Sequence, residues 1–204
     1  GLCILVPETK SWSLCKHSPD DTHSLSNNSI YSIYPTKDNI IWIGTYWGGF
    51  NYSSPYNSAF HIYRTNKVSD VNNNIISVVK EDAAHNLWIG TEGGGLNYLN
   101  IRTGTVTAYV NKPNDPGSIA SDLIKVVYID KENTVWIGTH GGGLNKFEGG
   151  RFSHYLYGKN DPATLNSEII SLYEDDNKRL WTGTQNGLLI LDMNNDLLPI
   201  QNKI

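Results

Sequence analysis

A tetrapeptide that recurs four times constrains this chain more than any other feature. Trp-Ile-Gly-Thr, or its variant Trp-Thr-Gly-Thr, returns every 45 to 48 residues. The copies begin at Trp42, Trp88, Trp136 and Trp181, and their glycines are Gly44, Gly90, Gly138 and Gly183. A period of this length is typical of an array of repeated structural units.

Each copy also lies in the same local context. An alternating Ile/Val run and an acidic, Asn-rich turn precede it, and a glycine-rich turn and a short aromatic segment follow it. Short apolar segments separated by turn signals predict β-strands, and no helical 3.6-residue period competes with them. Four strands in about 40–50 residues are typical of one propeller blade. The sequence therefore predicts an all-β fold made of β-propeller blades, namely four four-stranded antiparallel sheets. We expect them to form a partial propeller of a larger ring, for which seven blades are anticipated.

The phase of the repeat sets the expected boundaries. We expect residues 1–204 to form a single β-propeller segment, in which residues 1–16 are a leftover outer strand that matches the end of a repeat. The blades are expected at about 24–63, 70–110, 118–157 and 164–203. A partial ring would expose apolar blade faces. Those faces favour contact with the remaining blades of a longer parent chain, or a homodimer.

Charge and hydropathy exclude two classes of partner. The net charge is −4, and the chain offers no basic patch that could neutralise nucleic-acid phosphates. The apolar stretch Leu2–Val6 is far shorter than the roughly 20 residues needed to span a bilayer. We therefore expect neither nucleic acid nor membrane contact by this segment. Cys3 and Cys15 fit no metal-ligand spacing; two free thiols are the favoured interpretation, and a disulfide in an oxidising compartment is the alternative.

The residue that follows each Gly-Thr differs from copy to copy and forms our candidate ligand-binding set. The set is Tyr46 with its neighbour Trp47, Glu92, His140 and Gln185. Identical flanking residues place these side chains at equivalent points of the blades. Aromatic rings with amide and carboxylate groups suit recognition of sugars, although ordinary loop variation is the alternative. Trp47 is the sharpest candidate because an exposed Trp is costly without a partner, but it could equally fill a contact between blades.

No arrangement of residues predicts catalysis, a metal or a cofactor. The glycine-rich loops lead into strands, whereas a phosphate-binding loop leads into a helix N-terminus. The acidic turns lack the ligand spacing of an EF-hand, and we interpret them as hydrogen-bonded turns. We accordingly expect no catalytic residues, no metal site and no cofactor.

The motifs resemble a known family. Asn86–Thr91 with Gly93–Asn97, and likewise Val135–Asn145, resemble the two-component regulator propeller repeat. The resemblance implies the periplasmic sensor region of hybrid two-component histidine kinases of Bacteroidetes, with glycan-derived oligosaccharides as signals. It also implies that a stalk, a membrane span and a kinase lie outside this chain. We therefore expect a non-catalytic, extracytoplasmic sensor segment. A carbohydrate-active propeller enzyme, either a lyase or a glycosidase, and a pure protein–protein assembly module remain alternatives.

Overall fold

Four four-stranded antiparallel sheets dominate the computed structural model, which describes residues 1–54, 56–63, 71–155, 168–194 and 198–199. In each sheet the strands lie side by side in chain order, which confirms the predicted all-β blade architecture. Blade 1 contains β3 to β6, which are Ile30–Pro35, Ile41–Thr45, Phe50–Ser54 and Asn57–Tyr63. Blade 2 contains β7 to β10, which are Ile76–Glu81, Leu87–Thr91, Leu96–Asn100 and Thr105–Tyr109. Blade 3 contains β11 to β14, which are Ile124–Ile129, Val135–Thr139, Leu144–Glu148 and Arg151–Tyr155. Blade 4 contains β15 to β18, which are Ile169–Glu174, Arg179–Thr184, Gly187–Asp192 and Leu198–Pro199.

The N-terminal segment differs from the prediction, because residues 1–16 form two strands and the prediction of one leftover strand was wrong. Strand β1 (Leu2–Val6) pairs with β2 (Ser11–Cys15) in a two-stranded antiparallel hairpin. In its register Leu2 lies opposite Cys15 and Cys3 lies opposite Leu14. Paired residues share a face and successive residues alternate, so the two cysteines lie on opposite faces. Both thiols are free, which answers the question that the sequence left open.

The chain divides into two compact units. The first comprises Gly1–Thr91 with Asn97–Ala108, and the second comprises Glu92–Leu96 with Tyr109–Ile204. The first therefore contains the hairpin, blade 1 and most of blade 2, and the second contains blades 3 and 4. The expected limits of blade 4 at residues 164 and 203 lie outside the described residues.

In the first unit, the repeated Trp fills the space between neighbouring blades. Trp42 is 5% exposed and belongs to one buried cluster with Phe50 of its own blade and with Val79 and Leu87 of blade 2. Rings of blade 1 surround it, with the Tyr52 centroid at 5.0 Å. Truncating such a side chain costs about 3–5 kcal/mol.

The second unit repeats this packing. Trp136 is 4% exposed and clusters with Leu144 of blade 3 and with Ile169 and Leu180 of blade 4. Trp181 occupies the same position of blade 4 but is only half-buried. The difference follows from the pattern, because Trp42 and Trp136 each pack against the following blade of their own unit, and no described sheet follows blade 4.

The glycine of the tetrapeptide lets adjacent blades approach closely. A Cβ added to Gly44 would lie 2.8 Å from Cγ2 of Ile76 in blade 2. A Cβ added to Gly138 would lie 2.6 Å from Cγ2 of Ile169 in blade 4. Real Cβ atoms do not approach other carbons so closely, so any larger residue would push the neighbouring blade away.

The acidic turn between the first two strands of a blade is held by its Asp side chain. Asp130 Oδ1 accepts the backbone N–H groups of Glu132 and Thr134 at 2.9 and 2.7 Å, and its Oδ2 accepts Trp136 Nε1–H at 2.8 Å. Asp175 makes the same 2.8 Å bond to Trp181. The interpretation of these segments as hydrogen-bonded turns is therefore confirmed, and the turn also orients the Trp.

Asp175 is correspondingly acidic. Partial burial alone would raise the pKa of its carboxyl group. Hydrogen bonds from Trp181 and Arg179 outweigh that effect and lower the pKa to about 2. Asp175 is therefore fully ionised throughout the neutral range.

Candidate functional site

The loop after each Gly-Thr is fixed at its first end by the Thr hydroxyl. Thr45 Oγ1–H donates to the carbonyl of Gly49 at 2.7 Å, and Thr139 Oγ1–H donates to the carbonyl of Gly143 at 2.9 Å. Both Thr side chains are completely buried. The loop residues between the Thr and the glycine are thus held in a closed turn whatever their identity.

The Asn that follows the loop fixes its other end. Asn51, Asn97 and Asn145 are buried, and each Oδ1 accepts a backbone N–H from a connector residue 25 positions earlier in the chain. The donors are Ser26, Asn72 and Ala120, at 2.9, 3.2 and 3.0 Å. Buried polar groups are retained when they are hydrogen-bonded. The recurring Asn is therefore the clasp that ties the loop to the connector entering its blade.

The first unit presents a cluster of aromatic side chains at this loop, which we call the aromatic cluster and define as Tyr31, Tyr46 and Trp47. The Tyr46 ring centroid lies 5.1 Å from that of Tyr31 and 5.3 Å from that of Trp47, with the latter pair edge to face. Tyr31 is 53% exposed and Trp47 is 64% exposed. Two large rings therefore stand in solvent against a third that is half-buried.

Trp47 also has an unusual backbone conformation. Its φ is +70°, and the residues at the same position of the next two loops are glycines, Gly93 and Gly141, with φ of +114° and +84°. A side chain in this left-handed region costs about 1–2 kcal/mol. The first loop thus holds a strained, exposed indole where the next two loops have a glycine.

The second unit brings the backbone of two candidate residues to the same neighbour, Leu123. Glu92 forms an isolated β-bridge with Leu123, and the backbone N–H of His140 donates to the carbonyl of the same Leu123 at 2.9 Å. Glu92 Oε1 pairs with Lys125 Nζ at 2.6 Å, and His140 Nδ1 lies 2.7 Å from Glu168 Oε1. The loops of this unit therefore carry two charged or hydrogen-bonding pairs.

Gln185 differs from the other members of the set. It is exposed, and its side chain makes no hydrogen bond within the described residues. Its loop is shorter, and Thr184 Oγ1–H closes it on the carbonyl of Gly187 at 3.0 Å.

The sequence did not identify three residues that contact the candidate set, namely Tyr31, Lys125 and Glu168. Tyr31 and Lys125 share one position, immediately after the first residue of a blade, while Glu168 directly precedes β15. A search for variable residues at the start of each Ile/Val run would have found these positions.

Two further features bear on the kind of site. The described part of the chain has no group of three or more His, Cys, Asp or Glu side chains that could hold a metal ion. Within the same residues there is no helix of sufficient length and hydropathy to cross a membrane.

Blades, repeated Trp packing and clasped loops together define a β-propeller assembled from Trp-Ile-Gly-Thr repeats. More particularly, the family model described as Two component regulator propeller matches residues 24–47, 70–93 and 165–186. The predicted resemblance is thereby confirmed. No curated protein matches the chain.

Solved structures agree with this assignment. The extracellular domain of a hybrid two component system from B. thetaiotaomicron superposes with a TM-score of 0.76 at 26% identity, over 97% of this chain and 25% of that one. The extracellular domain of a one component system from the same organism gives a TM-score of 0.74 at 26% identity, over 93% of this chain and 24% of that one. The chain thus spans about a quarter of the length of these domains. Virginiamycin B lyase from Staphylococcus aureus shares the fold with a TM-score of 0.66 at 8% identity, over 99% of this chain and 63% of the lyase.

Proposed function

We propose that this chain is a non-catalytic part of the periplasmic sensor region of a two-component signalling receptor, and that the aromatic cluster binds an oligosaccharide. The observation that carries the proposal is Trp47, an exposed indole in a left-handed backbone conformation next to Tyr46 and Tyr31. Backbone strain of this kind persists where the residue has a function.

The chemistry of the cluster suits a sugar. The C–H faces of a pyranose are apolar and pack on aromatic rings, while its hydroxyl groups need hydrogen-bonding partners. Trp and Tyr combine a large apolar face with a polar edge, which is the reason for their enrichment where one side of a contact is wet. The indole of Trp47 and the ring of Tyr31 offer such faces to solvent.

The second unit offers polar pairs of its own at the equivalent loops. The pair of Glu92 and Lys125 and the pair of His140 and Glu168 present carboxylate, ammonium and imidazole groups at loops of the same type. We propose that these groups and Gln185 bind hydroxyl groups of an oligosaccharide. A small number of polar groups at fixed positions is typical of small-molecule sites.

Signalling would follow from differential binding. A ligand that prefers one of two conformations of the sensor region shifts the population toward that conformation. Its effect on the cytoplasmic output cannot exceed its difference in affinity for the two. The extracellular domains of one and two component systems among the similar solved structures support this role.

The test is a calorimetric titration of the protein with a panel of oligosaccharides released from plant and host polysaccharides. We expect at least one to bind saturably, and Trp47→Ala to weaken it by about fivefold or more, since a loss of about 1–3 kcal/mol, the range known for bases stacked on aromatic rings, corresponds to at least that factor. Trp12→Ala is the matched control, because Trp12 is 69% exposed but lies on the hairpin. It should leave the affinity unchanged.

Two results would contradict the proposal. Equal losses of affinity in both variants would show that exposed indoles bind sugars without specificity. Conversion of a polysaccharide to products by the wild-type protein would favour the enzyme. The lyase structure does not favour that alternative by itself, because 8% identity extends to the fold alone.

A further inference from the structure

The end of blades 3 and 4 opposite the variable loops contains a cavity of about 130 Å³. Its wall includes Trp136 and Tyr155 of blade 3, Glu174 and Lys178 of blade 4, and the turn residue Asp130. Both blades belong to the second unit. A cavity of about 150 Å³ holds a molecule the size of benzene, so this one fits about five or six non-hydrogen atoms.

The cavity contains a buried carboxylate with a free acceptor. Glu174 is 5% exposed, and its Oε2 accepts hydrogen bonds from the Tyr128 hydroxyl at 3.4 Å and from the Lys131 backbone N–H at 3.2 Å. Its Oε1 accepts no hydrogen bond from any described residue. A buried carboxylate is costly unless a donor or a cation compensates it.

The nearby ammonium groups are already paired with other carboxylates. Lys178 Nζ bonds to Glu132, and Lys146 Nζ lies 3.0 Å from Glu148. Neither Glu174 nor Asp130 has an ion-pair partner within the described residues. Burial and the negative charge of Glu174 raise the pKa of Tyr128. The hydrogen bond to Glu132 raises the pKa of the nearby Lys178 ammonium, and the charges of Glu174 and Asp130 also contribute. The cavity therefore favours a guest of positive charge.

The first unit shows what compensates the equivalent carboxylate. Glu81 ends the first strand of blade 2 as Glu174 ends that of blade 4, and each is next to a Tyr of the preceding blade. At Glu81 the ring of His85, four residues later, places Nδ1 at 2.6 Å from Oε1. The residue four positions after Glu174 is Lys178, whose side chain is directed to Glu132 instead. In the first unit a nitrogen group of the chain itself thus occupies the position that remains open in the second.

We propose that this cavity is a binding site for a compact organic cation with N–H donors, such as a primary ammonium of about five non-hydrogen atoms. Its nitrogen donates to Glu174 Oε1 as His85 does to Glu81, and its apolar body lies against the rings of Trp136 and Tyr155. Because the site has one wall on each blade, the bound cation links blades 3 and 4. The site is separate from the variable loops and does not depend on the function proposed for them.

The test uses n-butylammonium chloride as the probe and n-butanol, with the same number of non-hydrogen atoms, as its neutral counterpart. We expect saturable binding of n-butylammonium with a dissociation constant of about 1 mM, since so few atoms limit the affinity. The indole N–H resonance of Trp136 should shift on titration, and n-butanol should bind at least tenfold more weakly. Glu174→Gln keeps the shape of the side chain and should weaken n-butylammonium by at least tenfold. Glu81→Gln is the matched control and should have no effect.

Three outcomes would overturn the proposal. They are the absence of saturable binding at 100-fold above the expected constant, equal affinity for n-butanol, and unchanged affinity in Glu174→Gln. If Glu174→Gln lowered the thermal stability so far that binding could not be measured, the shift of the Trp136 resonance in the wild type and in Glu81→Gln would decide the question. An unshifted resonance at saturation would place the cation elsewhere and refute the site.

Discussion

Replacing Trp47 by Gly tests whether this indole contributes to the free energy of unfolding or lowers it. The change restores the residue that Gly93 and Gly141 represent in the two following loops. Relief of the left-handed backbone returns about 1–2 kcal/mol. Loss of the edge-to-face contact with Tyr46 removes about 0.5–1.5 kcal/mol, and the added freedom of Gly in the unfolded chain removes about 0.4–1 kcal/mol. The three terms nearly cancel, so the free energy of unfolding should change by less than about 1 kcal/mol.

Alanine at the same position gives the sharper comparison. Trp47→Ala loses the contact with Tyr46 but keeps a Cβ at a φ of +70°. We expect it to be about 1 kcal/mol less stable than Trp47→Gly, which reverses the usual order of the two residues. Urea denaturation followed by far-ultraviolet circular dichroism measures both, because that signal does not depend on the number of Trp residues.

The reasoning would be refuted in either of two ways. If Trp47→Ala were as stable as Trp47→Gly, the backbone at this position would not be strained. If Trp47→Gly lost 3 kcal/mol or more, the ring would belong to the core, as Trp42 does, and Trp42→Ala provides that reference with an expected loss of about 3–5 kcal/mol.

Three other substitutions test the framework that holds the loops. Gly138→Ala should cost about 1–3 kcal/mol of unfolding free energy because its Cβ would collide with Ile169, and a loss below 0.5 kcal/mol would contradict the close approach of blades 3 and 4. Asn51→Ala should cost about 1–3 kcal/mol because it leaves a buried N–H of the connector without an acceptor, while Asn51→Asp should retain part of that bond. Asp175→Asn should remove an acid-sensitive part of the stability: the folded pKa of about 2 lies below the ordinary 3.8, so the wild type has this contribution above pH 4 and loses it as the pH falls toward 2. Denaturation of both proteins between pH 5 and 2 checks this, and parallel curves would show that the bond to Trp181 does not depend on the charge.

The sequence predicted the blades because their determinants are local and repeated. Each Ile/Val run and each Trp marks a strand by itself, and four copies remove the ambiguity that one copy would leave. The first strand of the N-terminal hairpin, Leu2–Val6, was not predicted. The Asn that follows Leu96 and Leu144 in the blades is replaced there by Cys3. A strand without its marker looks like the continuation of its neighbour.

The site was predicted in position but not in its contacts. Varying residues between constant ones identified Tyr46, Trp47, Glu92, His140 and Gln185, whose role as a binding set stays a prediction. Glu92 pairs with Lys125 and His140 pairs with Glu168, each about 30 residues later in the chain. The residue spacing within one repeat does not predict such a pair. The acceptor role of the clasp Asn was equally hidden, because its donor is a backbone N–H that every residue except Pro supplies.

Most loops must both hold their own conformation and present side chains for recognition. Here the clasp and the Thr hydroxyl hold the conformation, so the remaining residues are left for recognition. Blades 1 and 3 close this turn with the same Thr and Asn groups, so the residues between them can be exchanged without disturbing the sheet. A repeat of this kind can accept a different side chain at the variable position of each blade, whether by evolution or by design. Tyr-Trp, Glu-Gly and His-Gly are then three versions of one turn, and a library randomised at these few positions should retain the fold while changing what the surface recognises.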